Sequence, residues 1–150
     1  MSAGPLVASG IGIFLLVVTA YILIGGTLAT TEVMVEAQSN LATYQETRMR
    51  TAIAVQNTTI DGRTLYVEVK NTGSEPVVDI QSIDIYLCIE NIPAYIPYGD
   101  WTPVNIAPDG IHPGELDPGE TLNLSIRFEG PDPTWVQIVT PNGVSSSAYL

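Results

Sequence analysis

The sequence is short of most of the residues that chemistry needs. It has one cysteine, one histidine and one lysine in 150 residues. With Cys88 alone, neither an intrachain disulfide nor a four-cysteine zinc site can form. Its neighbours Leu87 and Ile89 place it in a strand, where a free cysteine behaves as a small buried hydrophobe. His112 sits between Ile111 and Pro113. A histidine base would have to lie beside Cys88 or a serine, and no motif marks either. There is no glycine-rich phosphate loop and no metal-ligand spacing. The expectation is a non-enzyme without cofactor or metal. Positive charge is scarce as well: five Lys and Arg face sixteen Asp and Glu, a net charge of −11. That balance argues against nucleic acid and against anionic lipid headgroups as partners. One absence is positional: Met1 to Thr31 contains no Asp, Glu, Lys, Arg or His.

What fills that uncharged stretch is apolar. Pro5 to Ala29 is mostly Leu, Ile, Val, Phe, Ala and Gly. As a helix it would be roughly 37 Å long, enough to cross a bilayer core of about 30 Å with some tilt. Pro5 suits a first helical turn, where its missing N–H has no partner to lose. The hydroxyls of Ser9, Thr19 and Thr27 can bond to the preceding turn. A cleaved secretory signal would have a basic start and a shorter apolar run. A pilin-type leader would have a basic residue before the cleavage glycine, but Ala3 precedes Gly4. A retained anchor is expected. Beyond it, Val33, Ala37, Leu41 and Tyr44 recur at helical spacing, and Glu46 and Arg50 stand four apart in the favourable order. Residues 1–50 therefore read as one helix, with 5–29 transmembrane and 30–50 an extracytoplasmic extension. The apolar stripe needs a cover: the following domain, a partner helix, or both.

At Thr51 the period changes to two. Ala52 to Val55 opens a strand. Leu65, Val67 and Val69 alternate with Tyr66, Glu68 and Lys70, and Asn71-Thr72-Gly73 turns the chain. Ile83, Ile85, Leu87 and Ile89 share one face; Leu122, Leu124, Ile126 and Phe128 share another. Asp117-Pro118-Gly119-Glu120 is a turn. Trp135 to Thr140 and Val144 to Leu150 flank Asn142-Gly143, a two-residue hairpin signal. Six or so short alternating strands predict an all-β domain at 51–150, an antiparallel immunoglobulin-like β-sandwich behind a long pilin-like transmembrane helix.

Asn91 to Glu115 breaks the pattern with Pro93, Pro97, Pro103, Pro108 and Pro113, which argues against a long central strand. It also carries Tyr95, Tyr98 and Trp101. The segment forms either edge strands that pack these aromatics back onto the sheet or a stiff loop that contacts a partner through them, and they are the candidate partner-binding residues. Asp109, Glu115, Asp117 and Glu120 lack the spacing of a calcium loop and read as solvated turns. Asn57 and Asn123 open glycosylation acceptor triplets, as expected of an exported surface domain.

The order of these elements resembles a known family. An uncut pilin-like helix is followed by Thr51-Ala52-Ile53-Ala54-Val55, then by Leu65-Tyr66-Val67-Glu68-Val69-Lys70-Asn71-Thr72-Gly73. Leu116-Asp117-Pro118-Gly119-Glu120-Thr121-Leu122 and Val136-Gln137-Ile138-Val139-Thr140-Pro141-Asn142-Gly143-Val144 close the series. Together they resemble the archaellum (archaeal flagellum) stator protein F family, FlaF or ArlF, over nearly the whole chain. The Pro-rich segment is longer than that family's pattern. The resemblance implies a motility role: a single-pass protein of the cytoplasmic membrane, N-terminus inside, with its sandwich beneath the S-layer. The partners it implies are the S-layer protein and a sister stator protein of the G type, with assembly as a homodimer or hetero-oligomer. It carries over no catalytic residue. Two rivals remain: a filament subunit, archaellin- or pilin-like, and a tethered extracellular ligand-binding module.

Overall fold

The computed structural model describes residues 3–150, so the first two residues of the expected helix lie outside it. A long α-helix, α1, spans Gly4–Arg50, 47 residues, and its apolar part is long and hydrophobic enough to cross a membrane. Its hydroxyls are satisfied locally. Ser9 donates to the Leu6 carbonyl, Thr19 to Leu15 and Leu16, and Thr27 to Leu23 and Ile24. A polar side chain that bonds its own backbone presents little unsatisfied polarity to lipid.

By contacts the chain divides into two compact units, Met1–Thr43 and Tyr44–Leu150. The last turns of α1 thus belong with the strands. Arg48 and Arg50 place positive charge at the negative end of the helix dipole. The free Arg50 carbonyl is capped by the Ser74 N–H at 2.9 Å, and the N–H groups of Thr72 and Gly73 both donate to the Ala52 carbonyl. Gly73 is required there. A Cβ would collide with the Arg50 carbonyl oxygen and sit 2.5 Å from the Ala52 nitrogen, both backbone atoms that cannot swing aside. Tyr44 donates to the Asn142 carbonyl, and the Asn142 amide to the Thr51 hydroxyl, so the helix end is tied to a distant hairpin.

Eight strands follow: β1 (Ile53–Asp61), β2 (Thr64–Asn71), β3 (Asp84–Ile89), β4 (Ile92–Ile96), β5 (Trp101–Ala107), β6 (Thr121–Arg127), β7 (Trp135–Val139) and β8 (Ser145–Tyr149). They form two antiparallel four-stranded sheets, ordered β1-β2-β6-β5 and β4-β3-β7-β8. The alternating residues meet between them. Leu65, Val67, Val69, Leu122, Leu124 and Ile126 from one sheet are buried with Ile85, Leu87, Val136 and Ile138 from the other. Each such side chain contributes about 1.5–3 kcal/mol by leaving water. The sheets also meet where the Val55 N–H donates to the Ser146 hydroxyl.

One expectation is borne out and one is corrected. The Pro-rich stretch holds no central strand, and of its two open readings the edge strands are the one found: β4 and β5, which raise the strand count to eight. Both are edge strands, and only there is proline tolerated. Pro93 lies on β4, and Pro103 lies at the register shift of β5. The β7–β8 hairpin does not turn on Asn142-Gly143 alone. Thr140 and Gly143 close a turn (Gly143 N–H to Thr140 carbonyl, 2.8 Å), and the Thr140 N–H reaches the Val144 carbonyl, leaving three residues in the loop. Pro141 has the negative φ of a type I turn and Gly143 sits at φ 80. A two-residue type I′ turn would need positive φ at Asn142, which it lacks. That geometry occurs instead at Glu90-Asn91, with φ of 52 and 64 between β3 and β4.

Candidate functional site

The outer face of the β4-β3-β7-β8 sheet is the most distinctive surface of the domain. Strand alternation turns Asp84, Tyr86 and Cys88 of β3, Tyr95 of β4, Trp135, Gln137 and Val139 of β7, and Ser145, Ser147 and Tyr149 of β8 away from the core. Only Asp84 among them carries charge, in a chain of net charge −11. Tyr95, opposite Tyr86 in the strand register, packs against it with ring centroids 5.5 Å apart. Partial burial, and then the Asp84 carboxylate nearby, raise the Tyr95 hydroxyl above its ordinary pKa. Tyr149 is 87% exposed.

The three candidate aromatics do not share one surface. Tyr95 and Tyr98 are exposed, but Trp101 is 1% exposed and belongs to the core. The expectation that Trp101 is a contact residue is thereby corrected. Trp101 pairs with Ile126, and that register points its ring into the sandwich. Tyr98 meets the Trp101 ring edge to face at 5.1 Å, so it covers the indole from the solvent side. The Trp101 indole N–H is buried without a partner. The aromatic members missed in the sequence are Tyr86, Trp135 and Tyr149. Their signal was their phase, since each sits opposite the core-facing residues of its strand.

A second cluster lies around Asp117, where solvated turns were expected. Asp117 and Glu120 are instead buried. Pro118 and Gly119 (φ 89) make the turn between them, closed by the Glu120 N–H on the Asp117 carbonyl at 3.0 Å. The Asp117 carboxylate accepts from the His112 N–H at 2.9 Å and meets His112 Nδ1 at 3.0 Å. Glu120 accepts from the N–H groups of Gly110 and Asp117. The hydrogen bond to Asp117 raises the His112 pKa, and the same bond lowers that of Asp117. His112, Glu115 and Asp117 offer ligand atoms within 4.8 Å of one another. Both Asp117 oxygens are already engaged by His112, which gives the cluster a structural role: it folds the 108–116 loop against the sheet. Asp109 joins through the Gly114 N–H.

Asn57 and Asn123 differ in setting. Asn57 is exposed beside the register shift of edge strand β1. Asn123 lies half-buried in β6, an inner strand, with its amide donating to Asn105 at 2.8 Å. An open groove of about 640 Å³, lined by Arg63, Ile89, Ile96, Asp100, Arg127 and Glu129 among others, mixes charges of both signs on its rim.

No family model and no curated protein matches the sequence. Solved structures do. The chain is similar to the archaellum periplasmic stator protein FlaG from Sulfolobus acidocaldarius, with a TM-score of 0.56 and 21% identity, covering 67% of this chain and 99% of that one. It is also similar to a chain of the archaellum periplasmic stator protein complex FlaF and FlaG from the same organism, with a TM-score of 0.55 and 20% identity over 65% of this chain and 87% of that one. The fold is that of the archaellum stator domains.

Proposed function

We propose that the chain is a non-enzymatic stator component of an archaellum motor. The observation that carries this reading is the stator-domain fold standing directly behind an apolar helix of membrane-crossing length. A stator must hold two things still relative to each other. In this reading α1 grips the cytoplasmic membrane, with the N-terminus inside, and the sandwich lies beneath the S-layer, where it binds the S-layer protein and a sister stator protein. An uncharged span of this length is far harder to extract than a lipid chain. The F-type assignment rests on the sequence resemblance, while the fold supports a stator of either sister type.

Broad contact also requires a surface that is not self-repelling. The aromatic, nearly uncharged outer face around Tyr86, Tyr95 and Trp135 suits that need, since aromatic side chains give large contact area at low entropic cost. We assign Tyr95 and Tyr98 as partner contacts. The test is the fate of the chain in cells that make archaella. Filaments sheared from the cells should contain no copy of the chain, while deleting its gene should abolish swimming. Recovery of the chain as a major filament component would make it a filament subunit, and swimming at the undisturbed speed would remove the motor role.

A further inference from the structure

The chain crosses from β2 to β3, and so from one sheet to the other, through residues 72–83. The phase of this crossing is fixed at Val77, whose N–H and C=O both pair with Leu116 at 3.0 Å. Val77 is thereby buried, and its neighbour Val78 is turned out, 60% exposed. Two open hollows lie beside Val78. One, of about 200 Å³, reaches Pro141; the other, of about 400 Å³, is walled by Val104 and Ile106 of β5. Both are lined by Val78 and Asp79, so they form one furrow with Asp79 at its junction. The register shift of β5 leaves Val104 unpaired between Pro103 and Asn105, and its side chain is 58% exposed. Proline and a bulge spoil this edge for strand pairing, so an occupant of the furrow has to be held by side chains.

We infer that this furrow binds an extended segment of another protein in which apolar side chains alternate with Lys or Arg. The occupant follows from the charges on the walls. Asp79 and Asp109 are the charged residues that line the furrow, and both are acidic. Each is steadied by its own loop. Asp79 accepts from the Ser82 hydroxyl, and Asp109, at φ 54, accepts from the Gly114 N–H at 2.9 Å. Among the described residues neither carboxylate forms an ion pair. A wholly apolar segment would cover these carboxylates without neutralising them, which is costly. An acidic partner, or a second copy of a chain of net charge −11, would be repelled. A segment with a cation between two apolar side chains meets all three features at once: it fills the hollows on either side of Asp79 and neutralises the carboxylates. This assignment goes beyond the stator reading and does not depend on it.

The experiment uses the full-length chain in detergent micelles and a short, end-blocked, fluorescent peptide of alternating valine and lysine, with binding read by anisotropy. Saturable binding is expected. Asp79→Asn combined with Asp109→Asn should weaken it about tenfold or more, because both charge-assisted contacts are lost while the side-chain oxygens that steady the loops remain. Val78→Ser should weaken it too, without any change of charge. Glu68→Gln combined with Asp132→Asn removes two exposed charges from elsewhere on the domain. That variant should change affinity less than about twofold, since distant exposed charges act only through a screened field. A peptide with serine in place of valine should bind more weakly, and one with glutamate in place of lysine should not bind. The inference is overturned if the valine–lysine peptide shows no saturable binding. It is equally overturned if the Asp79/Asp109 variant weakens binding no more than the Glu68/Asp132 variant, or if the serine–lysine peptide binds as tightly, since either result would mean unspecific attraction to an acidic protein. Self-association of the chain that is lost in Val78→Ser would make the furrow a contact between copies and would also overturn it.

Discussion

The Asn71 side chain donates to the Leu116 carbonyl at 2.8 Å, joining the end of β2 to a residue 45 positions further along the chain. The same amide donates to the Glu75 carbonyl, and its oxygen accepts from the Gly73 N–H. The Asn71 backbone completes the junction, donating to Glu120 and accepting from Gly119. Asn71 is fully buried, yet every polar atom on it is partnered. One residue thus holds the turn that caps the helix and the Asp117–Glu120 turn that leads into β6.

Asn71→Ala should cost about 1–3 kcal/mol, because it removes three hydrogen bonds from a buried junction and leaves the Glu75 carbonyl without its partner, while the Gly73 N–H keeps Ala52 and the Leu116 carbonyl keeps the Val77 N–H. Thermal unfolding of the full-length protein in micelles, followed by near-ultraviolet circular dichroism, measures this as a lowered midpoint. Asn71→Asp should be no better. It keeps the acceptor for Gly73 but loses both donors and sets a charge against two carbonyl oxygens. A midpoint unchanged in either variant would contradict the role assigned to Asn71.

The His112–Asp117 pair predicts a pH window. Asp117, with its pKa lowered, contributes fully above the ordinary carboxylate value near pH 4, and the contribution is lost as pH falls through the lowered value. His112, with its pKa raised, contributes fully below about pH 6.5, and that contribution is lost as pH rises through the raised value. The pair is therefore strongest between about pH 4 and 6.5. His112 is the only histidine, so its ring resonances report it without ambiguity. Their titration midpoint should lie above the ordinary value and fall back in Asp117→Asn. A midpoint unmoved by that substitution would dissolve the pair.

Trp101→Ala should destabilise the domain by about 3–5 kcal/mol, as expected for emptying a core site of that size. Tyr95→Ala combined with Tyr98→Ala should leave a folded domain, because Tyr95 is exposed and Tyr98, though it covers the edge of the Trp101 ring, is itself about half exposed and leaves the core side of that ring in place. The double variant should instead lose binding to envelope proteins, measured by retention of solubilised envelope on the immobilised full-length chain. Normal retention would move the contact elsewhere on the domain.

The two acceptor triplets should behave differently in a host that glycosylates Asn-X-Ser/Thr. Asn57 stands exposed at an irregular edge, whereas the Asn123 amide is engaged in the middle of a sheet. Intact-mass spectrometry should show a glycan that Asn57→Gln removes and Asn123→Gln does not. A glycan retained in Asn57→Gln would reverse this assignment.

Much of the fold was legible because burial has a period. The alternation at Leu65, Val67 and Val69, and again at Leu122, Leu124 and Ile126, marks both sheets before any coordinate is known. The helix was legible for a simpler reason, an unbroken uncharged run with no breaker before Thr51. What escaped needs topology. Pro93 and Pro103 argue against central strands, but nothing local says that β4 and β5 lie at edges where proline is allowed. Whether Trp101 or Tyr98 faces the core depends on the register with Ile126, which a neighbouring strand sets. Asp117 and Glu120 look solvated because carboxylates usually are. Their burial depends on N–H groups from Gly110 and His112 that the loop brings back to them. On the candidate surface, Tyr95 and Tyr98 stood out by their spacing in a Pro-rich stretch. Tyr86 and Tyr149 gained meaning only when the two sheets assigned their outward phase.

The most direct test of the stator account is what the full-length chain holds in its own envelope. A tagged copy would be cross-linked in intact cells, solubilised in detergent and purified, and its bound proteins identified by mass spectrometry. The account predicts the surface-layer protein and a second stator-type protein among the cross-linked partners, with both reduced in the Tyr95→Ala/Tyr98→Ala variant. Recovery of filament subunits in place of these two, or of neither partner, would contradict it.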